Sequence, residues 1–360
     1  MAGYSMTGYA NTLDVSLLLA EVEALLVERL NEQALHATYP QSRVLWNLLR
    51  QTIIGGKKVR PYLALLVATC GGTVNDAEHL KRACAAGAAL ELLHAGLIIQ
   101  DDVMDGDAVR RGSPTVPALL EEHSNGQGLS DPRRFAASAA TIVGDLALTG
   151  GYRLLVDCGS YAPRLVDIFD RAIRDTAEGQ YLDVLNVERS DEADVLALER
   201  LKTGVYSFEA PVELGAVLAD LPKKTRNTLK QGARDLGIAF QIVDDILGVF
   251  GDPSVTGKSA SSDLWSRKRT ILSLHAHQQD DPHWQRIWEE LGHDHDQDTR
   301  GELESQAREC LVNCGALEHA RQLSARFHQR AREHFNSGMI PGSLSAQLLA
   351  FTDSLEKRQS

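Results

Sequence analysis

The sequence predicts an all-α fold, and three observations predict it. Apolar residues recur at three- and four-residue spacing in the long hydrophobic segments. Alternating runs bounded by Asn-Gly or Asp-Gly turns, the signature of hairpins, are scarce. The stretches 83–99 and 234–243 are apolar on nearly all sides, which belongs to helices at the centre of a bundle.

In chain order, LLLAEVEALLVERL (17–30) is the first amphipathic helix and RPYLALLVATC (60–70) the second, opened by Pro61. The Ala-rich stretch 83–99 is the third, carrying Glu91 and His94 in an otherwise apolar run. EEHSNGQGLSDPRR (121–134) is polar and Gly-rich, with Pro132 stopping a helix, and is expected as a surface connection. RDLGIAFQIVDDILGVF (234–250) is a further central helix. Residues 276–300 are expected as a second surface loop or insertion; the GHDHDQD tract within them (292–298) lacks an apolar frame to fix metal ligands.

The length of 360 residues permits a large core, in one big domain or two ordinary ones. Hydrophobic residues at 43% and charged residues at 24% fit a globular protein. A net charge of -12 argues against a nucleic-acid partner, without forbidding a local anion site. No secretory leader is visible in MAGYSMTGYANTLD. No uninterrupted apolar run reaches the roughly 18 residues of a transmembrane span. The five cysteines are dispersed and read as reduced thiols of a cytoplasmic protein, with Cys310 and Cys314 as packing residues.

Chemistry concentrates in two aspartate pairs, Asp101-Asp102 in LIIQDDVMDGD and Asp244-Asp245 in FQIVDDILG. Carboxylates closing apolar helices are costly unless cations neutralise them. On a helix Asp101 and Asp105 stand at i and i+4 on one face, about 5–6 Å apart, where they repel unless a hard cation lies between them. Mg²⁺ suits oxygen ligands and keeps positions for substrate phosphates, so the pattern points to divalent metals holding a diphosphate. One DDxxD alone is equally a solvated helix end.

Basic residues fall where such a ligand needs them. GGKKVRP (55–61) puts Lys57, Lys58 and Arg60 behind two glycines at a helix start, an anion cradle. Arg110 and Arg111 in VRRGSPT follow the first aspartates and can fork onto phosphate oxygens. EGQYLD, LKTGVYS and VTGKSASSDLWSRKRT add Gln180, Lys202, Thr203, Lys258 and Lys268. Each cluster alone is ordinary surface charge.

As an ordered set, from about Arg43 to Thr270, these motifs closely resemble the trans-isoprenyl diphosphate synthases, or polyprenyl synthetases: GGKKVRP, ELLHAGLIIQDDVMD, RRGSPT, Gly144-Asp145, GQYLD, KTG, FQIVDD and GK. The resemblance implies one domain over 1–360, a single large bundle around a central cavity with the aspartate motifs facing each other. It implies that Asp101, Asp105 and Asp244, supported by Asp102 and Asp245, hold about three Mg²⁺ ions and an allylic diphosphate. Arg110, Lys202, Lys258 and Lys268 would contact that diphosphate. Lys57, Arg60, His94 and Arg111 would bind isopentenyl diphosphate. Thr203, Gln241 and the Lys202 carbonyl would stabilise the allylic cation. A homodimer is also implied, with dimethylallyl, geranyl or farnesyl diphosphate as the allylic partner.

Three positions depart from the family pattern. Gly248 stands where many members have a third Asp, Gln100 where His is common, and Arg267 where Gly is usual. Asp252 is a candidate to replace the missing carboxylate. Gly96 and Leu97, a turn below Asp101, are no aromatic plug, and the first motif lacks the insertion typical of short-product enzymes. A geranylgeranyl or longer product is therefore expected over farnesyl. A class I terpene cyclase and a non-catalytic partner subunit stay open. The GGKKVRP element and the second aspartate pair argue against the first, and two surviving pairs against the second.

Overall fold

A computed structural model of the chain describes residues 14–72, 76–110, 112–125, 128–185, 191–251, 262–293 and 295–356. The N-terminal helices are α1 (Val15–Leu35), α2 (Arg43–Ile53), α3 (Val59–Gly71) and α4 (Ala77–Asp105). A two-residue hairpin follows, β1 (Val109–Arg110) against β2 (Ser113–Pro114), with Arg110 opposite Ser113. Then come α5 (Val116–Ser124), α6 (Pro132–Val156), α7 (Ala162–Val184) and α8 (Glu192–Glu199). A π-helix over Arg200–Glu209 runs straight into α9 (Ala210–Leu218), followed by α10 (Lys223–Phe250). The remainder is α11 (Ser262–Trp265), α12 (Ile271–His277), α13 (Pro282–Glu290), α14 (Gln297–Asn313), α15 (Ala316–Phe335) and α16 (Gly342–Glu356). The expectation of an all-α bundle holds.

α4 forms because Asp76 caps it, accepting from the His79 amide at 2.8 Å, and because Ala and Leu dominate its interior. Its end is set by Gly106, whose positive φ of 69° turns the chain out just after Asp105. The helix is buried on all sides: Leu90, Leu93 and Ile99 are fully covered, each stabilising by about 1.5–3 kcal/mol. One core gathers α1–α7 around α4, which packs along α6. A second surrounds the C-terminal half of α10 with α12–α15, and a third joins α3, α9, the rest of α10 and α16. The two aspartate motifs thus sit at the C-terminal ends of two central helices.

Three expectations change. Residues 121–134 are not one connection, since 121–124 finish α5 and Pro132 opens α6 behind the Asp131 cap. Residues 276–300 are largely helical: α13 buries Trp284, Ile287 and Trp288 in the second core, which a polar loop cannot do. Gly96 faces α6 and not the space under Asp101: a Cβ there would lie 3.0 Å from the Gly144 carbonyl and 3.2 Å from Leu148. Leu97 and Ile98, both half-buried, are what the helix presents around that turn. By length and composition, α4 and α6 would also pass as membrane spans; both pack in the bundle, α4 with 72% of its apolar window buried and α6 with 44%.

Candidate active site

Asp101 lies where three basic side chains converge. Lys202 Nζ is 3.6 Å away and Arg110 Nη2 2.9 Å, and Gln180 Nε2 donates to Asp101 at 3.0 Å. Burial pushes its carboxyl up, but Lys202, Arg110 and Lys268 together win, and it sits below its ordinary value. Asp105, one turn on, is exposed, and burial around its carboxyl plus the Asp101 charge raise it. Asp102, expected among the metal ligands, points elsewhere: it is buried and accepts from Arg110 Nε at 2.5 Å. Burial raises Asp102 to about 6 against the pull of Arg110. Successive helical residues turn by about 100°, so Asp102 cannot share the face of Asp101 and Asp105. Arg110 bridges Asp101, Asp102 and, at 3.6 Å, Asp107.

On α10, Asp244 is exposed and Asp245 buried. Gln241 Nε2 donates to Asp245 at 2.8 Å. Burial first, then the neighbouring Asp263 charge, push the Asp245 carboxyl far above the carboxylate range. Lys268 links the first motif to Asp263, the acid that acts on Asp245. Its Nζ is 3.8 Å from Asp263, and although burial pulls its pKa down, Asp263, Asp183, Asp105 and Asp101 drive it up. Among the described residues no three acidic, His or Cys side chains can hold an ion alone. The donors at hand are carboxylate oxygens flanked by cations, a set that fits a hard ion only when a phosphate ligand completes its shell.

A second basic cluster lies beside the first. Gly55 and Gly56, at φ 83° and 79°, lead into Lys58, itself left-handed at φ 48°. Lys58 turns inward, to the buried Glu91 at 2.8 Å and to the Ile53 carbonyl. Lys57 is exposed. Arg60 Nη2 donates to Ser207 Oγ at 2.8 Å and to Tyr206 Oη at 3.1 Å, its guanidinium 4.6 Å above the Tyr206 ring. His94 stacks on the same ring, with its Nδ1 3.4 Å from Tyr206 Oη.

The Polyprenyl synthetase family model matches residues 42–309, which carry every element of this site. The chain belongs to that family. A geranylfarnesyl diphosphate synthase of Aeropyrum pernix is 32% identical over 287 residues, 78% of this chain and 82% of that protein. A geranylgeranyl diphosphate synthase of Sulfolobus acidocaldarius is 30% identical over 312 residues, 83% of this chain and 86% of that protein. Among solved structures, a geranylgeranyl pyrophosphate synthase of Corynebacterium glutamicum, complexed with isoprenyl diphosphate and magnesium, superposes with a TM-score of 0.88 at 29% identity, over 96% of this chain and 100% of that one. Other relatives are named as synthases from farnesyl to octaprenyl diphosphate. The protein is a trans-prenyltransferase.

Within this polyprenyl synthetase the predicted residues Asp101, Asp105, Arg110, Lys202 and Lys268 come together, as do Arg60 and His94. Thr203 is half-buried in the π-helix beside Lys202. Gln241 is drawn to Asp245. Lys258, Arg111 and Asp252 fall outside the described residues. Two acids were missed. Asp183 of GQYLD takes Lys202 Nζ at 2.6 Å, closer than Asp101 does. Asp263 packs so tightly on Gly248 that a Cβ there would overlap its carboxylate, so it occupies the side of α10 left open by the missing third Asp. The signal was present, since Asp263 lies in the same motif as Lys258 and Lys268. Arg267 explains its own departure: it holds φ 50°, the left-handed conformation that suits Gly, and its guanidinium lies 5.6 Å above the Trp288 ring.

Proposed function

We propose that this prenyltransferase condenses isopentenyl diphosphate with an allylic diphosphate, primarily to geranylgeranyl diphosphate. One observation carries the reading: Lys268 feels Asp101 and Asp105 of the first motif together with Asp263, and Asp263 in turn raises Asp245 of the second, which supports a single site spanning both motifs with the Arg60–His94 cluster beside it. Asp101, Asp105 and Asp244 would hold Mg²⁺, about three ions, around the allylic diphosphate. When bound, Mg²⁺ supplies Lewis-acid neutralisation of the charge that grows on the leaving group.

Lys202, Lys268, Lys258 and Arg110 share that work through hydrogen bonds to the diphosphate oxygens. Asp102 would act by orienting Arg110. Arg60, Lys57, His94 and Arg111 hold the diphosphate of isopentenyl diphosphate. The allylic C–O bond breaks with both electrons leaving on oxygen. Thr203 Oγ1, Gln241 Oε1 and the Lys202 carbonyl turn partial negative charge toward the cation, and the apolar walls exclude water. The isopentenyl double bond attacks C1 of the cation, and a proton is lost to the released diphosphate. Leu97 and Ile98, neither aromatic, support the longer chain. We further propose a homodimer through α6, which leaves Ile142 at 49% and Val156 at 52% exposed, and a cytoplasmic location.

The test is direct. Purified protein is given isopentenyl diphosphate with dimethylallyl, geranyl or farnesyl diphosphate and Mg²⁺, and the dephosphorylated prenyl alcohols are identified. A twenty-carbon product that needs both substrates and vanishes in Asp101→Ala is expected. Diphosphate release without isopentenyl diphosphate overturns the condensation, and a mainly fifteen-carbon product overturns the assigned length.

A further inference from the structure

The segment that carries Lys202 and Thr203 is a ten-residue π-helix, far longer than the single-turn π-bulges usually found inside α-helices. Its first and last residues are bonded to each other. Arg200 Nε donates to Glu209 Oε1 at 2.6 Å, and Arg200 Nη2 to Glu209 Oε2 at 2.9 Å. Glu209 is only 1% exposed. Lys230 of α10 stands 3.8 Å from Glu209 Oε2 as well.

The pairing depends on the winding. In an α-helix nine residues advance by about 900°, so Arg200 and Glu209 would lie on opposite faces and about 13.5 Å apart along the axis. With i→i+5 bonding, at about 82° per residue, nine residues make two turns to within roughly 18°. The two side chains then share a face and a fork becomes reachable. The pair can form in the π winding and not in the α winding.

The same winding fixes two functional contacts. Lys202 reaches Asp183 at 2.6 Å and Asp101 at 3.6 Å. Tyr206 and Ser207 receive Arg60 at 3.1 and 2.8 Å. Between Lys202 and Tyr206 the two windings differ by about 18° per residue, or about 70° over four residues. A relaxed α-helix would keep one contact and lose the other. Neighbouring helices accept the wide coil closely: a Cβ on Gly179 of α7 would fall 2.5 Å from the Lys202 amide nitrogen.

We propose that Arg200 and Glu209 are positioning residues that lock the π winding and so set the spacing between the two diphosphate-binding clusters. The consequence for substrates rests on the prenyl-transfer reading; the consequence for the winding does not. The double variant Arg200→Met/Glu209→Met removes both charges and keeps length, an exchange that often leaves stability unchanged. Glu209→Gln, which retains hydrogen bonding, is the variant to use if the double fails to fold. Arg171→Gln, which disturbs the adjacent Arg171–Glu213 pair (2.6 Å), is the control.

The double variant is expected to melt near the wild-type temperature, to exchange amide hydrogens of residues 203–209 faster, and to show KM values raised more than about tenfold for both diphosphates. Arg200→Lys, which keeps the charge but not the fork, should fall between. The control should match wild type in both readouts. Unchanged amide protection together with KM and kcat within about twofold of wild type would overturn the proposal. A wild-type protein that makes no prenyl product would sink the functional reading, while amide exchange still decides the winding.

Discussion

Gly248→Asp returns to the second aspartate motif the carboxylate that it lacks, and we expect it to impair the protein. A Cβ at 248 already overlaps the Asp263 carboxylate, so Gly248→Ala isolates the steric part, which is small because that carboxylate is the tip of a side chain that can turn aside and because a helix favours Ala over Gly by about 0.5–1 kcal/mol. The aspartate adds a charge within about 4 Å of Asp263, worth up to about 4 kcal/mol at an effective dielectric of 20. It also loads a site where Asp245 is already raised by burial and by Asp263. Denaturant unfolding of wild type, Gly248→Ala and Gly248→Asp measures both contributions. Mg²⁺ titration in the presence of inorganic diphosphate then reports the site itself. Gly248→Asp should be the least stable of the three and bind Mg²⁺ most weakly. Gly248→Asp/Asp263→Ala should recover most of the loss, because it exchanges one carboxylate for another. Tighter Mg²⁺ binding by Gly248→Asp, or equal stability, would refute the idea that Asp263 fills this place.

Lys202→Met should lower kcat/KM about 100-fold or more for the allylic substrate while its helix content persists, because Asp101 and Asp183 lose their shared cation. Steady-state kinetics with the allylic substrate varied will check it. Arg267→Gly should change stability by less than about 1 kcal/mol, the relieved left-handed strain offsetting the lost Trp288 stacking; a larger loss by denaturant unfolding would give the stacking the greater weight. Asp102 is raised to about 6 in the folded chain, so the native state holds that proton more tightly than the unfolded one. Its contribution is therefore fully present below about pH 4 and lost as pH rises through 6, by about 3 kcal/mol in the metal-free protein. Unfolding free energies between pH 4.5 and 7 should show that slope in wild type and not in Asp102→Asn. Gly96→Phe should destabilise by about 3 kcal/mol or more through the α4–α6 contact; a stable variant with a cleanly shortened product would contradict the packing.

The fold was legible because helical periodicity is local and α4 and α10 are apolar enough to belong nowhere but the interior. The first motif was equally legible, since Asp101 and Asp105 meet through a spacing internal to one helix. What periodicity could not supply was direction. Asp102 follows Asp101 directly, yet about 100° of rotation puts it under Arg110 and away from the shared face. Gly96 sits a turn below Asp101, yet the α6 backbone lies against it. Residues 276–300 misled because their histidines and acids outnumber the two tryptophans that bury the segment. The π winding left no mark that a search for 3.6-residue repeats would register.

Lys57 and Lys58 show how far the fold separates residues that the sequence leaves equivalent. As a string, GGKKVRP offers adjacent cations of equal standing. In the fold one left-handed residue separates their fates. Lys58 buries its ammonium against Glu91, a pair with both side chains about nine-tenths covered, and its partner lies one turn before His94 on α4. An unpaired charge at either position would be costly in that setting, so each residue holds the other in place. The loop is thereby pinned to the helix that carries His94 and the first aspartates, and Arg60, two residues on, is delivered to Tyr206 and Ser207. Lys58→Met should consequently weaken isopentenyl diphosphate binding without any contact to the ligand, and Lys58→Met/Glu91→Leu should restore stability before it restores affinity. Isothermal titration of isopentenyl diphosphate against both variants checks the order. Wild-type affinity in Lys58→Met would show that the glycines alone hold the loop.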